Sequence, residues 1–264
     1  MFTTGSQIIS TPRVIDYDGG RHPRGCIGFI LMSTDPAMEA DVFRMVPKGV
    51  GIHFNRLKTD DHTDSQTLAR HVDNMAAAAA ILQPEARPDI ICYGCTSGSI
   101  VCGEAAVMRE IRKGAPWTQP MTLVTGVVDA LTVLGSKNLT VCTPYLDDIN
   151  TLEAEFLLTK GFNVVDIQGL RIADGIAMGR VPPAYLRDFA LSVDSPEADT
   201  IFISCSGIRS LDIIEELEQI VGKPVITSNQ AMLWACLRRL GVNDKIEGFG
   251  RLFQLDGPFE FSRP

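Results

Sequence analysis

Two stretches of this 264-residue chain follow one pattern. Pro88-Asp-Ile-Ile-Cys-Tyr-Gly-Cys-Thr-Ser-Gly98 and Ala198-Asp-Thr-Ile-Phe-Ile-Ser-Cys-Ser-Gly207 each run from an aspartate through an apolar strand to a cysteine, a hydroxyl residue and a glycine. A helical pattern follows each of them. A short apolar run bounded by turn residues suits a strand buried on both faces of a parallel sheet. The two cysteines, Cys95 and Cys205, stand close to half the chain apart. The repeat predicts two related α/β halves, each with one thiol at a strand's carboxyl end. Open α/β sheets bind their ligands at that end.

The remaining pattern agrees. Strands are expected at Cys26–Leu31, Val50–Phe54, Asp89–Tyr93, Thr122–Val124, Asn138–Cys142, Phe162–Ile167, Thr200–Ser204 and Pro224–Thr227. Helices are expected at Ser65–Leu82, Gly103–Lys113, Val127–Leu134, Asp147–Lys160, Pro183–Val193, Leu211–Ile220 and Asn229–Leu240. Gly161 and Gly241 follow two of these helices as C-terminal caps. Such alternation gives βα units and a mainly parallel sheet. No Pro-rich or low-complexity linker divides the chain, and the boundary is expected around Ala130–Lys137. The first half would be residues 1–130, joined by the C-terminal segment 229–264, and the second half residues 131–228.

Charge narrows the partners. A formal charge of −8 and a pI near 5.0 disfavour nucleic acid and anionic membrane surfaces. No apolar run reaches the ~20 residues of a membrane span. No charged-then-apolar export pattern opens the sequence, so a cytoplasmic protein is expected. The odd count of seven cysteines then predicts reduced thiols rather than a disulfide framework.

A thiol acts as base or nucleophile only as thiolate, so its pKa must fall or a base must stand beside it. The strand-to-helix turns at Cys95 and Cys205 are expected to supply helix N-termini, which favour an anion. The same N–H groups, with Thr96, Ser97 and Ser206, would hold a substrate carboxylate, and Gly207 would let backbone approach it. Two thiols facing one carbon permit proton removal from one face and delivery to the other, with no cofactor. Cys92 and Cys95 also form a Cys-x-x-Cys, but no second ligand pair completes a zinc site, and Cys92 falls inside the strand. No metal is expected. The histidines at 22, 53, 62 and 71 all fall in the first quarter of the chain or just beyond, and none is assigned to a thiol. His62 sits in the acidic run Asp60-Asp-His-Thr-Asp64, read as a solvated loop. No phosphate-binding glycine loop is present.

Six segments in order carry a resemblance. They are Ile30-Leu-Met-Ser-Thr-Asp35, Tyr93-Gly-Cys-Thr-Ser97, Thr143-Pro-Tyr-Leu-Asp-Asp148, Ser204-Cys-Ser-Gly-Ile-Arg-Ser-Leu-Asp212, Gly222-Lys-Pro-Val-Ile-Thr-Ser228 and Gly248-Phe-Gly-Arg-Leu-Phe253. The chain resembles the aspartate/glutamate racemase superfamily, in the branch of arylmalonate decarboxylase, maleate cis-trans isomerase and the ectoine-utilisation protein A family. The resemblance implies two flavodoxin-like halves related by a pseudo-twofold, with the active site between them. It implies Cys95 and Cys205 as a catalytic pair and Tyr145 as a carboxylate-binding tyrosine. It places Thr96 and Ser97 in the carboxylate cradle, with Thr34 and Asp35 on the opposite wall.

The departures shape the functional expectation. The decarboxylase pattern has glycine where Cys95 stands, so two cysteines favour isomerisation or racemisation. Maleate isomerases have asparagine where Asp35 and Gly175 stand. A carboxylate at position 35 would repel a second substrate carboxylate, or bind an ammonium or hydroxyl group. The amino-acid racemases carry other residues after each cysteine. The leading expectation is a cofactor-independent isomerase or racemase acting on a small carboxylic acid, amino- or hydroxy-substituted forms and ectoine-catabolism-like acids included. The alternatives are an arylmalonate-type decarboxylase using Cys205 as proton donor, and a carboxylate-binding protein without turnover. A homo-oligomer is compatible with each.

Overall fold

In the computed structural model, residues 10–18, 20–60, 62–83 and 86–259 are described. The first half contains β1 (Cys26–Met32), β2 (Gly51–Leu57), β3 (Ile90–Tyr93) and β4 (Gln119–Thr122) in one sheet of order β2-β1-β3-β4. The second half contains β5 (Asn138–Thr143), β6 (Asn163–Gly169), β7 (Thr200–Ile203) and β8 (Val225–Thr227), in the equivalent order β6-β5-β7-β8. All six pairings are parallel. The central strands β3 and β7 are buried throughout, which explains their unbroken apolar runs.

In the first half, helices α1 (Met38–Met45), α2 (Ser65–Ala69), α3 (Met75–Ala80), α4 (Thr96–Cys102), α5 (Glu104–Gly114) and α6 (Leu123–Leu134) connect and cover the strands. In the second, α7 (Asp147–Thr159), α8 (Gly175–Met178), α9 (Pro183–Val193), α10 (Ile214–Val221) and α11 (Ser228–Arg239) do so. The helix α11 packs on α6 and α1 of the first half and is buried from Ser228 through Arg238. Arg238 is buried at its end, its guanidinium donating to the carbonyls of Val242, Asp244, Phe253 and Leu255. Those bonds satisfy a charge that burial would otherwise penalise, and they tie the segment after α11 back onto that helix. Among the described residues, no helix is long and apolar enough to cross a membrane.

Two expected elements are corrected, and an unexpected helix joins the first half. The expected strand Thr122–Val124 is the end of β4 and the start of α6. The Thr122 hydroxyl accepts the Thr125 amide as an N-terminal cap, and Leu123 and Val124 bury themselves from within the helix. Periodicity cannot separate these two uses of a three-residue apolar run. The expected single helix Ser65–Leu82 is α2, a 3₁₀ segment at Arg70–Asn74, and α3. The helix α1 was not expected; the Asp35 carboxylate accepts the amides of Ala37 and Met38 at its start. Gly161 and Gly241 do adopt positive φ, 90° and 73°, after α7 and α11.

Candidate active site

Strand order reverses direction of winding between β1 and β3, and again between β5 and β7. These are the two topological switch points, where the loops leaving adjacent strands part and open a crevice. Here the two crevices face each other. One hollow of about 480 Å³, mouth included, is lined by the loops that follow β1, β2, β3, β5, β6 and β7.

The sequence nominated nine positions for this site. Eight of them line the hollow: Thr34, Asp35, Cys95, Ser97, Tyr145, Cys205, Ser206 and Gly207. The ninth, Thr96, turns away. Its Oγ1 lies 2.9 Å from Ser228 Oγ at the start of α11, so its expected place in the carboxylate cradle is corrected to a contact behind the wall.

Equivalent backbone bonds deliver the two thiols. The Gly94 amide donates to the Ile30 carbonyl, and the Ser204 amide to the Cys142 carbonyl, so each cysteine is the next residue past its sheet. Cys95 is the N-cap of α4, and its sulfur accepts the Gly98 amide at 3.2 Å. Cys205 differs. No helix starts directly after it: residues 206–208 turn and bend, and a 3₁₀ segment begins only at Leu211. The expectation of a helix N-terminus beneath Cys205 is therefore corrected. Its sulfur accepts the Gly207 amide at 3.3 Å, and its own amide donates to Ser228 Oγ at 3.0 Å. Cys205 has φ of 130°, a conformation that a non-glycine residue rarely adopts.

Burial, not the backbone, dominates both thiols. It pushes Cys205 up to about 12, against hydrogen bonds from Tyr145 and the Gly207 amide. It raises Cys95 too, against the Gly98 amide, the Ser97 hydroxyl and the Tyr93 hydroxyl. The expectation that a helix N-terminus at each turn lowers both thiols is thus corrected. Burial also holds Tyr93 and Tyr145 well above the usual phenol range, so both remain donors at neutral pH.

Asp35 lines the same hollow. Its Oδ1 is occupied by the Ala37 and Met38 amides, each at 2.9 Å, whereas its buried Oδ2 meets no partner at full hydrogen-bond geometry. Burial raises its pKa, against those two amides and the neighbouring Ser206 hydroxyl, and its charge raises both thiols. Arg56 braces the loop from behind by donating to the carbonyls of Met32, Ser33 and Asp35. Tyr145 is 2% exposed, held by its amide on Thr143 Oγ1 and its carbonyl on the Arg171 amide.

Several lining residues escaped the sequence reading, among them Met32, His62, Thr67, His71 and Met178. The acidic run around His62 is not merely a solvated loop. His62 pairs with Asp174 as an antiparallel bridge, joining the β2 loop of one half to the β6 loop of the other across the mouth. His71 did leave a signal: it falls in step with Leu68 and Met75 on an otherwise apolar face, and it is 7% exposed. Its Nδ1 lies 2.6 Å from Tyr93 Oη. Among the described residues, no cluster of His, Cys, Asp or Glu is arranged to hold a metal ion, and all seven cysteines are free.

A family model described as arylmalonate decarboxylase matches residues 30–253. The chain belongs to that family. Within this decarboxylase-named family it also has isomerase relatives. A maleate isomerase of Nocardia farcinica is 25% identical over 240 residues, spanning 87% of this chain and 96% of its own. The arylmalonate decarboxylase of Bordetella bronchiseptica is 36% identical over 149 residues, 55% of this chain and 60% of its own. The crystal structure of the maleate isomerase Iso from Pseudomonas putida S16 shares the fold, with a TM-score of 0.80 at 24% identity, covering 87% of this chain and 98% of its own. Membership in the arylmalonate decarboxylase family makes this chain an enzyme of the isomerase and decarboxylase kind.

Proposed function

We propose that this enzyme isomerises or racemises a small carboxylic acid without a cofactor, using Cys95 and Cys205 as an acid–base pair. The observation that carries this reading is their placement: two buried thiols from pseudo-equivalent turns line one hollow. Cys95, at the N-cap of α4, acts as the thiolate. It removes the proton from the carbon next to the substrate carboxylate, forming Cys95 S–H and an enediolate. The Cys205 thiol then delivers its proton to the opposite face of that carbon, leaving Cys205 as thiolate. Ser97, Thr34, the Tyr145 hydroxyl and the backbone at Ser206 and Gly207 surround the carboxylate and stabilise its growing charge. The under-satisfied Asp35 Oδ2 favours a substrate with an amino or hydroxyl donor and disfavours a second carboxylate at that wall.

A covalent variant uses the same residues: Cys95 adds to an alkene carbon and Cys205 protonates its neighbour. A decarboxylase reading is supported by the 36% identical segment shared with a named arylmalonate decarboxylase. In that reading, loss of carbon dioxide makes the enediolate and Cys205 alone protonates it.

Small mono- and dicarboxylates incubated in heavy water and followed by proton NMR test the proposal. The expected result is deuterium at the α-carbon, reduced ~10²–10⁴-fold in both Cys95→Ser and Cys205→Ser. Carbon dioxide release surviving Cys95→Gly selects the decarboxylase. Exchange undiminished in either serine variant defeats the two-thiol chemistry, and saturable binding without exchange or product defeats turnover altogether.

A further inference from the structure

Behind Cys95 stand two buried aromatic side chains that the reaction above does not use. His71 Nδ1 and Tyr93 Oη are 2.6 Å apart, with their rings near perpendicular at 85°. Tyr93 Oη in turn faces the same side of α4 as the Cys95 sulfur. A side chain at Gly98 would collide with that oxygen and sit 3.0 Å from Cys95 Sγ, so the two atoms flank one small space that only glycine leaves open. From there the Tyr93 hydroxyl, as a donor, draws the Cys95 thiol downward in pKa. Nothing equivalent backs the other thiol: the group acting on Tyr145 from behind is the Glu153 carboxyl rather than an imidazole.

Building on the reading of Cys95 as the reactive thiolate, we propose that Tyr93 and His71 are positioning residues that stabilise this thiolate through two donated hydrogen bonds in series. Tyr93 has a single hydroxyl proton. When that proton is donated to the Cys95 sulfur, the phenol oxygen must accept from His71, which requires the proton on Nδ1. Burial lowers His71 to about 4, so the ring is neutral at physiological pH and acts as a donor without forming an ion pair. Each bond polarises the next, and a low-dielectric surrounding strengthens both. No proton is transferred along the chain; it stabilises charge where charge appears.

The other titratable groups facing these three residues oppose or adjust the effect. Asp35 raises Cys95, and Cys205 and Tyr145 face the same hollow. Cys102 lies beside Tyr93 and donates to the Leu68 carbonyl, and Asp60 approaches His71. A neutral donor chain lowers the thiol without the charge that a protonated histidine would set beside Asp60.

The test reads the thiol and needs no substrate. In a Cys205→Ser background, the rate of Cys95 alkylation by iodoacetamide is measured against pH, with the modified peptide identified by mass. Tyr93→Phe is expected to move the half-maximal pH upward by about one unit, a roughly tenfold loss of rate at neutral pH. His71→Leu is expected to move it the same way by less. His71→Asn, whose side-chain amide can donate from a similar place, is expected to restore most of it. A purely structural role would change the melting temperature and leave the pH profile in place. An unmoved profile in Tyr93→Phe, or an asparagine variant no better than leucine, overturns the proposal; if Tyr93→Phe fails to fold, the His71 pair decides. A moved profile in a protein inactive on every carboxylate upholds the relay and refutes the reaction, so the two readings fail separately.

Discussion

Thr96 and Ser228 share a 2.9 Å hydroxyl–hydroxyl hydrogen bond, and Ser228 Oγ also accepts the Cys205 amide at 3.0 Å. One serine thereby joins the residue after the first thiol to the second thiol itself, across the two halves. Asn229 reinforces the joint by donating to both the Ser206 carbonyl and Asp41 of α1. Ser228→Ala leaves a buried amide and a buried hydroxyl without this partner. The expected cost is about 1–3 kcal/mol in denaturant unfolding, with turnover reduced more than substrate affinity. Wild-type stability in this variant would show that the joint contributes nothing.

The Tyr145 hydroxyl draws the Cys205 thiol downward in pKa, and its ring is buried in the wall of the hollow. Tyr145→Phe therefore separates chemistry from packing. Turnover is expected to fall about 10²-fold, in the range of a lost donor to developing charge, while stability changes by about 1 kcal/mol or less. Steady-state kinetics beside a thermal melt measures both. A fully active, folded phenylalanine variant removes Tyr145 from the mechanism.

Much of the architecture was legible because parallel strands buried on both faces announce themselves as short apolar runs. The thiol repeat added their relation, since two like strand ends in one chain imply two like halves. What stayed hidden depended on distance in sequence or on local geometry with no residue signature. Cys95-Thr-Ser-Gly98 opens a helix, while Cys205-Ser-Gly207 leads into turns, although the residue types nearly coincide. Thr96 reads as a cradle hydroxyl until Ser228, on a helix from the far end of the chain, claims it. His71 lies on a 3₁₀ segment within an otherwise helical pattern, and its helical spacing alone reads as core. Burial reversed one further expectation: an N-terminal helix turn lowers a thiol less than a dry pocket raises it.

The backbone at Cys205 makes a prediction independent of substrate. With φ at 130°, any side chain there is strained, and conformations of this kind cost of order 1–3 kcal/mol. Cys205→Ala and Cys205→Gly both delete the sulfur, so their difference isolates the backbone. The glycine variant is expected to be the more stable by about 1 kcal/mol, a shift of roughly 2–4 °C in melting temperature for a chain of this size. Equal melting temperatures, or a more stable alanine variant, would mean that the turn relaxes without glycine.

Glu153, on the buried face of α7, connects the interior to pH. It is 1% exposed, and neither of its carboxylate oxygens nor Ser204 Oγ meets a partner at full hydrogen-bond geometry. Burial raises its pKa from 4.5 to about 7, against the nearby Ser204 hydroxyl. The unfolded chain ionises this group near its ordinary value, whereas the folded chain keeps it protonated until about 7. Between those values the folded state binds more protons, so its stability falls as pH rises and levels off once the folded group ionises. The full loss is roughly 3 kcal/mol at about 1.36 kcal/mol per pKa unit. Glu153→Gln removes the titration and keeps the shape. Relative to the parent, the variant is expected to gain that amount on going from acid to mildly alkaline buffer, read from urea midpoints at each pH. Two stability curves running parallel across this window would show that Glu153 ionises as easily inside the protein as outside it.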